Sequence, residues 1–263
     1  MDPHLGLGAL GVSIGGRAFI PPDNKEQLIW RYIDFTKFVD LLSTQELYFT
    51  RVDKLEDIFE GSNTIPTVEN REAYFKYMVE IGEMTQEGAE KTKKILDKYH
   101  EEQRQHYAVN CWHMNNYESA AMWSLYAKED AGIAIRSTYE RLKNAFNESP
   151  IVLHIGKINY VDFFKDLTSW GIGFIPILLK GKSFEHEKEL RAVIWSWEEQ
   201  NKKYCEPFDF GIRVKINLDV LVESVFIAPH TQKWIRNLIE SMMDKFEFCK
   251  PLHYSCLEGK PAY

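Results

Sequence analysis

Apolar positions in the first third of the chain change period twice. Residues 28–33 form a short β-favouring run, and behind Asp34, a good N-cap, Phe35, Phe38, Val39 and Leu42 recur on one helical stripe. Residues 47–52 return to strand character, so this region predicts strand, helix, strand. Over 68–106 the pattern turns charge-rich and 3.6-periodic, with Tyr74, Tyr77, Met78 and Ile81 on one face and Thr92, Leu96 and Tyr99 on part of another. Gly82 and Gly88 mark the break, which predicts a helical hairpin with a solvated outer side. A plain structural hairpin and a lid over a site both remain open.

Further along, 107–113 reads as a strand. Residues 117–128 read as a buried helix, apolar on two sides through Ala121, Met122 and Leu125 and through Trp123 and Tyr126. A strand at 132–135 precedes Thr138, placed to cap a helix over 139–146. Residues 151–162 alternate as one long strand, whereas 163–179 are apolar and fit no single state. Strands follow at 190–197, 211–216 and 224–228. Thr231 then heads a helix with Trp234, Leu238 and Met242 on its stripe, and 246–254 reads as a last strand. No repeat and no proline-rich linker interrupts the series. The expectation is one α+β domain over 25–263, with a mixed or antiparallel central sheet flanked by helices and a helical insertion at about 68–106. The glycine-rich start makes 1–24 a flexible N-terminal arm.

Composition is that of an ordinary globular protein, 44% hydrophobic and 27% charged, and the 14% of aromatic residues favours a well-filled core or an aromatic-lined pocket. A net charge of −7 argues against broad binding to phosphate backbones, which leaves nucleic acid open as a partner only through a local basic groove. No apolar run approaches the ~20 residues of a membrane span, and no basic segment opens a secretory signal. A cytoplasmic protein with no membrane partner is expected. The four cysteines are too sparse for a disulfide framework and are expected as free thiols. Cys249-x3-His253-x2-Cys256 lacks the Cys-x2-Cys knuckle of zinc sites, so no metal is expected. The phosphate-loop, dinucleotide, nucleophile-elbow and His-Glu-x-x-His motifs are missing.

Two clusters carry candidate chemistry. Glu187, Glu189 and Arg191 alternate at the entry to a strand and should share one face. They read either as a salt-bridged strand edge or as a carboxylate held by an Arg at a cleft, where it orients a hydroxyl or acts as a base. Trp30-Arg31-Tyr32 offers a guanidinium for phosphate or carboxylate between rings that stack a flat ligand. The alternative is an Arg31 paired with Asp53, Asp57 or Glu60. Trp123 and Tyr126 line a pocket or belong to the core.

Several ordered segments resemble a bacterial family known as domain of unknown function 2971. They are Trp30-Arg31-Tyr32, Phe59-Glu60-Gly61, Cys111-Trp112-His113, Met122-Trp123-x2-Tyr126, Gly132 to Ile135 and Lys182-x4-Glu187-x-Glu189-x-Arg191. The resemblance spans about 28–245 and implies a bacterial or phage-related intracellular protein, with no activity attached. A looser likeness is to ADP-ribosyltransferases of the arginine-serine-glutamate type, since Arg31, Ser137-Thr138 and Glu187-x-Glu189 fall in that family's order. That likeness implies an ADP-ribosyltransferase-like fold with NAD as substrate. Arg31 would bind its phosphates or ribose, Ser137 and Thr138 would support the pocket, and Tyr32, Trp123, Tyr126 and Arg191 would line it. Glu189 would stabilise the oxocarbenium-like charge as nicotinamide leaves, and Glu187 would orient an unknown macromolecular acceptor.

The leading expectation is therefore a NAD-consuming ADP-ribosyltransferase or NAD glycohydrolase-like effector. The alternative is a non-catalytic nucleotide-sensing or protein-interaction domain, and a third reading is a nuclease with Asp57, Glu60 and Glu189 around magnesium. The first requires Arg31 and Glu189 to face one cleft; separately, neither Glu187 nor Glu189 is expected to be buried without solvent, so both carboxylates should tolerate replacement.

Overall fold

Asp34 accepts the backbone N–H of Lys37 at 2.8 Å, so the first strand passes directly into the first helix at a side-chain cap, as its sequence predicts. The computed structural model describes residues 18–126, 131–170, 173–205 and 208–259, so most of the expected N-terminal arm lies outside the described residues. In the first half, the elements are β1 (Leu28–Asp34), α1 (Phe35–Thr44), β2 (Glu46–Arg51), α2 (Ile65–Glu80), α3 (Gln86–Gln103), β3 (Tyr107–Met114) and α4 (Ala120–Tyr126). They are followed by β4 (Gly132–Thr138), α5 (Tyr139–Asn144), β5 (His154–Lys157), β6 (Asn159–Val161), β7 (Leu179–Gly181) and β8 (Glu189–Trp195). The last are β9 (Gly211–Lys215), α6 (Leu218–Leu221), β10 (Ser224–Ile227), α7 (Lys233–Lys245) and β11 (Leu252–Tyr254).

Nine strands form one mixed sheet, antiparallel except where β10 meets β11, and β6 and β7 make a separate parallel pair. The fold is α+β, a large mixed sheet flanked by helices. β3 is its axis. One edge of β3 pairs with β8 along Tyr107 to His113, and the other is shared by β1 at Trp30↔His113 and β2 at Thr50↔Val109. Between those two contacts the sheet forks. Side chains satisfy part of the exposed edge there: Arg31 Nη1 donates to the Cys111 carbonyl at 2.9 Å, and Asn110 Nδ2 donates to the Tyr48 carbonyl at 2.8 Å.

Strand alternation sorts the residues into two faces. One buries Ile29, Ile33, Trp112, Ile135, Leu190 and Ala192 in the main core under α1, α5, α6 and α7. The other carries Trp30, Tyr32, Ala134 and Phe226 against Met122 and Trp123 of α4, with Val109 and Val193 in a neighbouring cluster. No helix among the described residues is long and apolar enough to cross a membrane.

Several expectations shift. The stretch 151–162 is two short strands in different sheets, and 246–254 is strand only at β11. Thr231 is not a cap: its hydroxyl donates to the Ala228 carbonyl, and α7 starts behind Gln232. α7 buries Ile235, Ile239 and Met243, one position after the expected stripe, and leaves Trp234 exposed. Both stripes repeat every four residues, so only docking decides between them. α4 begins at Ala120 and buries Met122 and Trp123, whereas Leu125 and Tyr126 are exposed. Positions 127 and 128 lie outside the described residues. The charge-rich region forms α2 and α3, turning at Gly82 with φ of 77°.

Candidate functional site

Five charged side chains meet on the α4 face of the sheet, and all are buried: Glu60, Lys180, Glu187, Glu189 and Arg191. Arg191 has no exposure. Its Nη2 donates to Glu60 Oε2 at 2.5 Å, its Nε to Glu189 Oε1 at 2.6 Å and its Nη1 to the Ile177 carbonyl at 2.8 Å. Lys180 Nζ reaches Glu187 Oε2 at 2.6 Å, Glu189 Oε2 at 3.0 Å and Glu60 Oε1 at 3.4 Å. Three carboxylates against two cations leave the group one negative charge in excess. Its outer end is Tyr126, half exposed, whose hydroxyl donates to Glu187 Oε1 at 2.9 Å.

Local backbone explains why the carboxylates converge. Glu189 opens β8, and its N–H donates to the Tyr160 hydroxyl at 2.7 Å. Glu187 is not a strand residue: it ends a 3-10 turn, and Lys188 at φ 42° redirects the chain between the two. The expected shared face therefore arises through a left-handed turn, not through alternation. His113 pins that turn by donating Nδ1–H to the Glu187 carbonyl at 2.5 Å. A carbonyl only accepts, so neutral His113 carries its lone pair on Nε2, which is buried without a partner among the described residues.

The electrostatics follow from burial against neighbours. Desolvation raises the Glu189 carboxyl, but the Arg191 and Lys180 charges outweigh it and hold the group far below its ordinary value. Desolvation lowers Lys180, and Glu189 and Glu60 outweigh that, so it stays an ammonium. Burial, then the Glu189 charge, pushes the Cys111 thiol up and leaves it a poor nucleophile. Burial and Glu187 raise the Tyr126 hydroxyl, which stays a donor. Burial lowers His113 and keeps it neutral.

The residues named from sequence divide between the two faces. Glu187, Glu189, Arg191 and Tyr126 come together. Tyr32 and Trp123 lie on the same face, ring against ring at 4.9 Å, with the Tyr32 hydroxyl accepting the Ser119 N–H and Trp123 Nε1 donating to Glu118 Oε2. Arg31 does not join them. It follows Trp30 on β1 and turns to the main-core side, with its guanidinium 6.0 Å from the Trp112 ring. Neither does it pair with Asp53, Asp57 or Glu60: Asp53 takes Arg51, and Glu60 takes Arg191. Ser137 is fully buried on the main-core side and donates to the Leu221 carbonyl at 2.5 Å, and Thr138 caps α5 through Arg141 N–H. The expected pocket of Arg31, Ser137, Thr138 and Glu189 is not formed: Arg31 and Ser137, at odd positions of β1 and β4, face away from Glu189, and Thr138 is taken up at the end of β4 by the cap of α5.

The expectation that both carboxylates keep contact with solvent also fails, since Glu189 is 2% exposed. The magnesium set does not assemble either. Lys180 and Arg191 fill the space between Glu60 and Glu189, Asp57 caps the Phe59 N–H, and no group of His, Cys, Asp and Glu among the described residues is arranged to hold a metal.

Lys180 and Tyr160 escaped the sequence reading, and the roles of Glu60 and His113 with them. The one signal for Lys180 was a lone cation behind the apolar run 174–179. A groove of about 390 Å3 between α5 and β5, lined by Tyr139, Phe146 and His154 among others, contains none of the site residues named from sequence. No family model matches the chain, and no curated protein and no solved structure matches it.

Proposed function

We propose that the protein is a non-catalytic nucleotide-sensing or protein-interaction domain that uses the rim of the buried charge cluster, where Tyr126 reaches the surface over Glu187. The observation that supports this reading is the saturation of Glu189. One oxygen is held by Arg191 and the other by Lys180, so no free anion faces a site where positive charge could develop. With Arg31 on the other side of the sheet, the two residues on which NAD cleavage depended do not share a cleft. A cluster this costly to bury pins the 180–191 segment into one geometry, which suits a recognition surface. The four cysteines are unpaired, in keeping with a reducing, cytoplasmic setting for that role. The test is nicotinamide release from NAD, with and without protein and nucleic-acid acceptors. No release above the uncatalysed background is expected, and turnover that scales with protein concentration would overturn the reading.

One observation favours a second reading. Glu187 sits at the rim of an anionic cluster beside the Tyr126 ring, a setting that complements the cationic nicotinamide of NAD. A NAD-consuming transferase or glycohydrolase would then act through Glu187, with Glu189 and Arg191 holding it in place. Glu187→Gln abolishing nicotinamide release, with Arg31→Met leaving it intact, is the result that this reading requires.

A further inference from the structure

The Glu60 and Lys180–Lys182 side of the cluster adjoins an unusual amount of exposed apolar surface. Ile58 is 76% exposed, Phe164 63%, Leu167 61%, Ile65 45% and Phe59 36%. These side chains come from two segments tied to each other. Phe59 stacks on Phe163 at 5.1 Å and meets Phe164 at 5.8 Å, Ile65 N–H donates to the Phe163 carbonyl at 2.8 Å, and the Thr67 hydroxyl pairs with Thr168. The patch is joined to the cluster on both sides: Glu60 follows Phe59 in the chain, and Lys182 beyond β7 donates to Asp166 at 2.8 Å. Scattered apolar side chains need no explanation, but five large ones on two segments joined through the Phe59–Phe163 stack mark a contact surface.

Charge selects the occupant. Outside the buried cluster, segments 56–60, 162–167 and 180–191 hold five carboxylates against three cations, a surface excess of two negative charges, and the cluster beneath adds its own one. The Lys165 and Lys182 ammonium groups are already paired with Asp162 and Asp166. Such a surface repels an anionic membrane or a nucleic-acid backbone, and it repels itself in a two-fold dimer that would set the patch against its own copy. We infer that this patch docks a protein segment that is apolar and net basic, with its apolar side chains on Phe59, Phe164 and Leu167 and its cations over the carboxylate rim. The inference rests on the interaction-domain reading and names its partner class.

The test uses the full chain and two labelled amphipathic peptides, one of leucine and lysine and one of leucine and glutamate, read by fluorescence anisotropy. The expected result is binding of the Leu/Lys peptide that weakens with salt, falls about tenfold or more in Phe164→Ser/Leu167→Ser, and is unchanged in Trp234→Ser, a control at an exposed aromatic on α7. Both replaced side chains in the double variant are exposed, so circular dichroism should show an unaltered fold. Equal binding by the double variant, equal binding of the Leu/Glu peptide, or binding of a labelled single-stranded oligonucleotide that the double variant loses overturns the inference. So does a dimer in sedimentation that the double variant dissolves, because the occupant is then a second copy. NAD turnover is scored separately. If it appears while the peptide result holds, only the non-catalytic reading falls.

Discussion

Arg191 donates its Nε–H to the carboxylate of Glu189, two residues earlier on the same strand, at 2.6 Å, and neither group has useful contact with water. The pair is stable only as part of its network. Replacing Arg191 with Met leaves three buried carboxylates facing one ammonium. The expected cost is about 3–5 kcal/mol, as for one partner removed from a buried ion pair. Urea denaturation of the variant reads it directly.

Glu189→Gln should be milder. It removes the excess negative charge and leaves Glu60 and Glu187 to balance Lys180 and Arg191, but it turns an amide N–H toward one of two donors. The expected loss is about 1–3 kcal/mol, that of an unsatisfied buried donor. Equal losses in Glu189→Gln and Arg191→Met, measured by the same denaturation, would show that net charge in the cluster does not matter.

Acid should unfold the protein in two stages. Burial depresses His113, so the unfolded chain takes up its proton first. Stability from this residue is complete above its ordinary value of 6.5 and declines as pH falls below it. Glu187, Lys188 and His186 face the same ring. Glu189 is depressed by Arg191 and Lys180 against the opposing effect of burial. Its contribution is complete above 4.5 and is lost as pH falls further, toward its folded value. Urea midpoints in His113→Asn, which keeps a donor for the Glu187 carbonyl and removes the titration, should lose the upper stage and keep the lower.

Arg31 should behave as a structural residue. Its guanidinium satisfies the Cys111 carbonyl where β1 and β2 diverge from β3, so Arg31→Met should cost about 1–3 kcal/mol for an orphaned backbone acceptor. Peptide binding at the aromatic patch should not change. A stable Arg31→Met protein that loses all ligand binding would restore Arg31 to the site.

Tyr126→Phe removes only the hydroxyl that meets Glu187. The residue is 46% exposed but the hydrogen bond itself is part-buried, and its loss should cost about 1.5 kcal/mol. Thermal denaturation within a few degrees of the parent checks this. A larger fall would mean that Tyr126 closes the cluster to water.

Elements whose signals are local were legible without the fold. Asp34 and Thr138 cap their helices through hydrogen bonds three residues long, and 28–33 and 190–195 are strands because β-branched and aromatic runs leave little alternative. Glu187, Glu189 and Arg191 were also visible as a charged entry to an apolar strand. The stripe of α7 was not, since two apolar rows one position apart both satisfy a helix. Nor was the partition of Arg31 from Glu189. Alternation within a strand says which neighbours share a face, but not which face of one strand matches which face of another.

By itself, then, the sequence determined the α+β class, most strand and helix positions, and the charged triplet that anchors the cluster. All of these depend on interactions between residues a few positions apart. Tertiary structure alone decided that Glu60 meets Arg191 across 131 positions, that Lys180 enters the same site, and that Arg31 serves the fork in the sheet. These contacts depend on which edges of β3 the other strands take. That choice is made by burying the whole main core at once, and no short stretch of residues encodes it.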